Sequence, residues 1–305
     1  MIKPRNLFTA EELAALRRKS GWRGAWLVAH AWIVIFAVMA LCAAWPNPLT
    51  IGLGILIIGG RQLGLAILMH DAAHGLLLAA PRRNDRIGEW LCAYPVIADL
   101  ARYRPYHLTH HRHVQSAEDP DLVLSAPFPT SRASFRRKML RDLTGRTAFK
   151  QRRALILDAL GPADQSVRHR LARLWRRLHG PILANLALFA GLALAGFWWL
   201  YPVLWLLPLA TVYQAVTRIR NIAEHAMVGD DEDVLRNART TYAGPLTRLL
   251  VAPYWVNFHL EHHLAMFVPG YNLPRAHRLL IGKGLGPRLE TQPSYRALLR
   301  MATSG

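Results

Sequence analysis

Thiols are scarce in this sequence. Cys42 and Cys92 are the only cysteines in 305 residues, too few for a disulfide scaffold or for a cysteine-based zinc framework. Acidic residues are also thin, 19 Asp plus Glu against 38 Lys plus Arg, which leaves a formal net charge of +19. Long stretches lack charge of either sign, and the mean hydropathy is +0.12. A nucleic-acid-binding domain of this basicity seldom combines those two properties, so the positive excess has to be located along the chain before it is interpreted. No internal repeat, low-complexity tract or linker divides the chain, and residues 1–305 read as a single membrane domain.

Residues 24–45 carry no full charge over 22 positions. As a helix rising ~1.5 Å per residue, such a run crosses the roughly 30 Å hydrocarbon core of a bilayer. After Pro46-Asn47-Pro48, residues 49–69 form a second apolar run, interrupted only by Arg61 and Gln62 and ending on His70. Residues 181–197 and 199–216 read as two further antiparallel spans joined by a tight turn. The run from Ile87 to Leu100 contains Glu89, Pro95 and Asp99; it is too short and polar to span, and is expected at the interface.

Six Lys or Arg fall in residues 1–23, twenty in 81–180 and eleven after 217, while the linkers 46–48 and 196–202 have none. Four spans with both termini inside satisfy the positive-inside rule at every connection, so the charge excess is first a topology signal. The expectation is an all-α integral membrane bundle of four spans with a cytosolic helical cap formed by 1–23, 70–180 and 217–305 (inner membrane in a bacterium). Nucleic acid is not needed to explain the charge. The first apolar run is too long for a cleavable signal peptide and lacks a small-residue cleavage site.

Fourteen histidines remain to be explained, and most lie in four short clusters on the side assigned as inside. His70 and His74 are spaced i, i+4; His107, His110 and His111 are spaced i, i+3, i+4; His259, His262 and His263 repeat that pattern. Side chains at these spacings share a helix face, so one turn can offer two or three imidazoles to one ion. His225, in the segment Asn221-Ile-Ala-Glu224-His225, adds one more at the same membrane depth. For an isolated pair, hydrogen-bonded helix-end residues are the ordinary reading. Eight or nine imidazoles gathered at one depth need a common reason, and metal supplies it. One ion of four to six ligands cannot use them all, so a pair is implied. An all-imidazole set without thiolate suits a d-block ion with open positions for oxygen chemistry, although affinity order alone does not choose iron over zinc.

With these residues in place, the sequence resembles the membrane fatty acid desaturase and hydroxylase superfamily, whose three histidine boxes HX3-4H, HX2HH and HX2HH correspond in order to 70–74, 107–111 and 259–263. Asp119-Pro-Asp121 after the second box, Asn257-Phe258 before the third and Asn272-Leu-Pro274-Arg-Ala-His277 beyond it belong to the same context, and the resemblance covers roughly residues 60–280. It implies a pair of non-haem irons on the cytosolic face, held by His70, His74, His107, His110, His111, His259, His262, His263 and, from the Asn-x-x-x-His type segment, His225. It also implies O2 as co-substrate, two electrons from an external donor such as a ferredoxin, and removal of hydrogen from an unactivated C–H bond of a lipid chain. Fatty acyl desaturation ranks first. A lipid or carotenoid hydroxylase or ketolase uses the same centre, and two readings from other classes are a membrane zinc hydrolase of lipid amides and a metal transporter. A transporter would place its ligands near the bilayer midplane rather than at one face.

Asp71, Glu224 and Glu261 sit beside box histidines and are expected to accept the distal imidazole N–H, with Asn221 grouped with them; the alternative for each is a solvated helix-end group. His113 lies beyond the box pattern and is left out of the ligand set. His30, His169, His179 and His277 are expected to be structural or interfacial. Arg61 is costly in lipid unless it faces the bundle interior; it is expected to pair with a polar substrate group, to snorkel, or to contact a neighbouring helix. The basic segment from Ser131 to Gly180, with Leu140, Leu143, Leu155, Leu157, Leu171, Leu174 and Trp175 at near-helical spacing, reads as amphipathic helices on the inner leaflet. Attraction to anionic lipid is the simpler account, and docking of an acidic electron carrier the functional one. Ten tryptophans fit an aromatic belt.

Overall fold

The computed structural model describes residues 4–229 and 233–305. A short helix α1, Ala10–Arg17, starts at a capping box in which Thr9 Oγ1 accepts from the Glu12 amide and Glu12 Oε2 accepts from the Thr9 amide. Helix α2, Gly21–Ala44, gives way to α3, Pro48–Ala73, across a break set by Pro46 and Pro48. Asn47 Oδ1 caps α3 by accepting from the amides of Leu49 and Thr50, and Pro48 takes the first helical position, where its missing N–H costs nothing.

Helix α4, Leu100–His113, opens on Asp99, whose side chain accepts from the Arg102 amide. The basic segment forms α5, Arg132–Leu143, α6, Arg146–Leu160, and the first half of α7, Val167–Leu194. Gly145, at φ +75°, provides the left-handed turn between α5 and α6. Leu140, Leu143, Leu157, Leu171 and Trp175 are exposed, and Leu155 and Leu174 are half-buried.

Among the described residues, three helices are long and apolar enough to cross a membrane: α2, α3 and α7. Segment 199–216 is helical but is not a single helix. It runs as a wide turn over Tyr201–Leu206, a short helix over Leu207–Ala210, a break at Thr211 (φ −122°, ψ −82°), and then α8, Val212–His225. Pro202 and Pro208 each lack the N–H that would continue the ladder, which is a sufficient cause for the interruption. Within residues 87–100, Cys92, Ala93, Val96 and Leu100 are buried in the same apolar core as α2 and α3, while Trp90 and Leu91 are exposed.

Helix α3 is the axis of the molecule, and glycines let its neighbours come close. A Cβ on Gly59 would lie 2.5 Å from Val212 Cγ1, and one on Gly60 would lie 2.8 Å from the Leu249 carbonyl oxygen and 2.9 Å from Leu250 Cα. The second obstacle is backbone and cannot rotate away. A Gly60→Val variant is therefore expected to be destabilised by about 1–3 kcal/mol, read as a lower temperature of aggregation in detergent than for wild type. Arg61, the next residue, is buried and donates from Nη2 to the carbonyls of Arg248 and Leu249 while lying over the Tyr254 ring. Of the roles expected for it, the structure gives it the contact with a neighbouring helix.

The C-terminal part packs as a second apolar cluster around α9, His259–Leu264, and α10, Leu273–Gly282, with Leu7, Phe8 and Leu16 from the N-terminal segment. Helix α11, Tyr295–Ala302, closes on α8. The strands β1, Thr240–Thr241, and β2, Thr291–Gln292, make a two-residue parallel ladder, and β1 lies directly behind α9.

Candidate metal centre

Nine histidines converge at the ends of four helices: His70 on α3 with His74 just after it, His107, His110 and His111 on α4, His225 at the end of α8, and His259, His262 and His263 on α9. They divide into two groups. His70, His74, His107, His111 and His262 form one, His110, His225, His259 and His263 the other, and in each the candidate ligand atoms all lie within 4.8 Å of one another. His111 of the first group and His263 of the second stack with ring centroids 4.3 Å apart, so the two groups adjoin.

This division explains the form of the HX2HH boxes. On α4 the i, i+4 pair His107 and His111 serves the five-histidine group and His110 the other; on α9 the pair His259 and His263 serves the four-histidine group and His262 the other. Consecutive residues on a helix point about 100° apart, so each His-His doublet reaches two different centres. His113, beyond the pattern, belongs to neither group. A His113→Ala variant is expected to keep turnover within about threefold of wild type, as a surface substitution of small free-energy effect would, checked by steady-state assay in membranes.

The ring nitrogens face each other at distances that protons alone do not explain. Nε2 of His107 lies 3.0 Å from Nε2 of both His74 and His111, and His111 Nε2 lies 3.0 Å from His262 Nε2. A neutral imidazole has one proton, so a nitrogen with two such neighbours cannot satisfy both. His110 is held by Asp119, whose Oδ1 accepts from Nδ1–H at 2.8 Å; its Nε2 is then a bare lone pair, aimed at His225 Nε2 3.2 Å away. His70 Nε2 is buried without a hydrogen-bond partner. Burial, reinforced by neighbouring charges, holds His107, His225, His259, His262 and His263 well below the ordinary imidazole pKa, and pulls His111 down to about 2. All six are thus neutral near pH 7 with lone pairs available. The donor set fits first-row divalent ions placed between the rings.

The acidic neighbours divide by which nitrogen they meet. Asp71 Oδ1 lies 3.3 Å from His70 Nδ1, the distal side expected of it. Asp119, which the sequence flags only through the motif Asp119-Pro-Asp121, takes the same role on His110 and also accepts from the amides of Gln115 and Asp121. Those hydrogen bonds keep its carboxyl below the usual range against the opposing effect of burial. An Asp119→Asn variant is expected to weaken metal binding in the four-histidine group about 10- to 100-fold, measured by chelator competition.

Glu261 departs from the expectation that it accepts from a box imidazole. It lies two residues after His259, on the opposite side of α9, and there accepts from Thr240 Oγ1 at 2.5 Å and His277 Nδ1 at 2.7 Å. His277, expected to be structural, is the buried partner in that pair and meets Tyr242 OH at 3.0 Å through its other nitrogen. Asn221 and Glu224 line one small cavity together with His110, His225 and His259. Glu224 Oε1 accepts from Arg220 Nε at 2.5 Å, a contact the sequence offers only as an i, i+4 charge pair. Burial raises Glu224 to about 7 despite that arginine. Tyr103 stacks on His107 with ring centroids 5.1 Å apart, and Gln115 Nε2 donates to the His225 carbonyl.

Fold and centre together define a helical protein of membrane type, carrying two adjoining histidine clusters able to hold metal ions. The sequence profile described as "Fatty acid desaturase" matches residues 46–288. The chain belongs to that family, and it is a desaturase-type oxidoreductase. It is 26% identical over 270 residues to the dihydrorhizobitoxine desaturase of Bradyrhizobium elkanii, covering 84% of this chain and 74% of that protein. It is 29% identical over 263 residues to a beta-carotene ketolase of a Paracoccus species, covering 83% of this chain and 88% of that protein. A human sphingolipid delta(4)-desaturase/C4-monooxygenase is 29% identical over 229 residues, covering 72% of this chain and 61% of the human protein.

Proposed function

We propose that the two clusters hold a pair of non-haem irons and that the protein uses O2 and two electrons from a separate donor, such as a ferredoxin, to desaturate an acyl chain lying in the membrane. The observation that carries this reading is the convergence of nine imidazoles into two adjoining groups, with carboxylates on the distal nitrogens of His70 and His110. Bound iron would supply oxygen activation and redox change. The protein's part is to hold His110 in its Nδ1–H tautomer through Asp119, to orient His70 through Asp71, and to exclude bulk water by burying the rings. Imidazole also suits oxidative chemistry, since thiolate and thioether ligands would themselves be oxidised.

The proposed topology has four spans, the fourth being the interrupted segment 199–216, with both termini, the basic helices and the histidine boxes in a cytosolic cap. Helices α5, α6 and the start of α7 then lie on the inner leaflet, drawn to anionic lipid and available to an acidic electron carrier.

A second outcome on the same centre, hydroxylation or ketolation, is favoured by the ketolase and monooxygenase relatives. The histidine spacing does not separate the three, because the outcome depends on which C–H bond approaches and how the carbon radical is resolved. Metal content per chain on detergent-purified protein tests the class, followed by lipid and carotenoid profiling of an expressing host. About two irons per chain that respond to dithionite and oxygen are expected. Stoichiometric zinc on protein made in iron-replete cells would overturn the reading in favour of a hydrolase.

A further inference from the structure

We infer that Glu224 is an oxygen ligand of the ion in the four-histidine group, held in that position by Arg220; the inference rests on the paired-metal reading above. The first argument is the side from which the carboxylate approaches. Asp71 and Asp119 meet their imidazoles at Nδ1, the nitrogen turned away from the cluster. Glu224 instead places Oε2 3.5 Å from His259 Nε2, the nitrogen that also faces His225 Nε2 at 2.8 Å and His263 Nε2 at 3.1 Å. A carboxylate that only oriented a ligand would sit behind the ring. This one shares the space into which the lone pairs converge.

The second argument is the inequality of the two groups, five imidazoles against four. Glu224 supplies the smaller group with a fifth donor, and an anionic one. The third argument is restraint. Glu224 is 3% exposed, and its other oxygen, Oε1, is fixed by Arg220 Nε one helical turn earlier on α8. An arginine engaging one oxygen leaves the second free for a cation and sets its direction. The two metal positions are then chemically distinct, one all-nitrogen and one nitrogen plus carboxylate. The paired ions accordingly differ in hardness and in ease of oxidation.

The test uses full-length protein loaded with ⁵⁷Fe, comparing wild type with Glu224→Gln, Glu224→Asp and Arg220→Lys. Chelator release and Mössbauer spectra are read on each, before any turnover. Wild type is expected to show two inequivalent irons. In Glu224→Gln, one iron should be released at least tenfold faster with its quadrupole doublet shifted, the other iron remaining as in wild type. Glu224→Asp should recover part of the difference, and Arg220→Lys, which keeps the charge but loses the Nε–H contact, should shift the same doublet by less than Glu224→Gln does and leave the other iron as in wild type. Wild-type release and spectra in Glu224→Gln would overturn the assignment and leave Glu224 as the neutralising partner of Arg220. Equal loosening of both irons, unrelieved in Glu224→Asp, would overturn it as well. Wild-type protein that holds no iron pair would instead overturn the metal reading itself, so the two failures are distinguishable.

Discussion

A His262→Ala variant is expected to lose turnover to below detection and to lose bound metal from the five-histidine group, while still inserting into the membrane. His262 Nε2 lies 3.0 Å from His111 Nε2, and its ring lies 4.5 Å from that of His70 and 4.7 Å from that of His74, centroid to centroid. It is the one member of that group contributed from beyond residue 111. Its removal therefore takes away a donor and also the tie between α9 and the α3–α4 pair. His110→Ala should have the same consequence for the four-histidine group, where it is the sole ligand from α4. The measurements are iron per chain after purification and turnover in reconstituted membranes, with fluorescence-detected size exclusion to establish folding. Retained turnover in either variant would remove that residue from the ligand set.

Metal exchange should have an effect of the same size. Stripping the protein with a strong chelator is expected to abolish activity, reloading with ferrous iron to restore it, and reloading with zinc to leave it inactive while still protecting against unfolding. Zinc accepts imidazole readily and has no accessible redox change, so it separates the structural contribution of a cation from the chemical one. Activity with zinc and no reductant would place the reaction among hydrolyses and end the oxidoreductase reading. Protection by either ion is expected to grow with metal concentration, as for any ligand that binds the native state preferentially.

The boxes were legible because their geometry is local. Spacings of three and four residues depend only on helical periodicity, so His107, His110 and His111 could be placed on one turn without knowledge of what lies opposite. The split into five and four was not legible, because it depends on how α3, α4, α8 and α9 meet. The same distinction accounts for Glu261, whose neighbours in sequence are box histidines but whose partners in space are Thr240 and His277. Asp119 is nine residues from His110 and off its helix, so no periodic rule connects them. Helices α2 and α3 could be read from long apolar runs, the second interrupted only by Arg61 and Gln62. Segment 199–216 is also free of full charge, but its breaks come from proline placement, which hydropathy does not register.

The order in which the clustered histidines occur along the chain bears on biosynthesis. His70, His74, His107 and His111 are all present once the ribosome has passed residue 111, so four-fifths of one cluster can gather while the remainder is still being made. The other cluster has only His110 at that stage; His225, His259 and His263 come much later. For the proposed pair of ions, loading would then have a built-in sequence, with the early cluster able to capture its ion during translation and the late one completed only after α9 has left the exit tunnel.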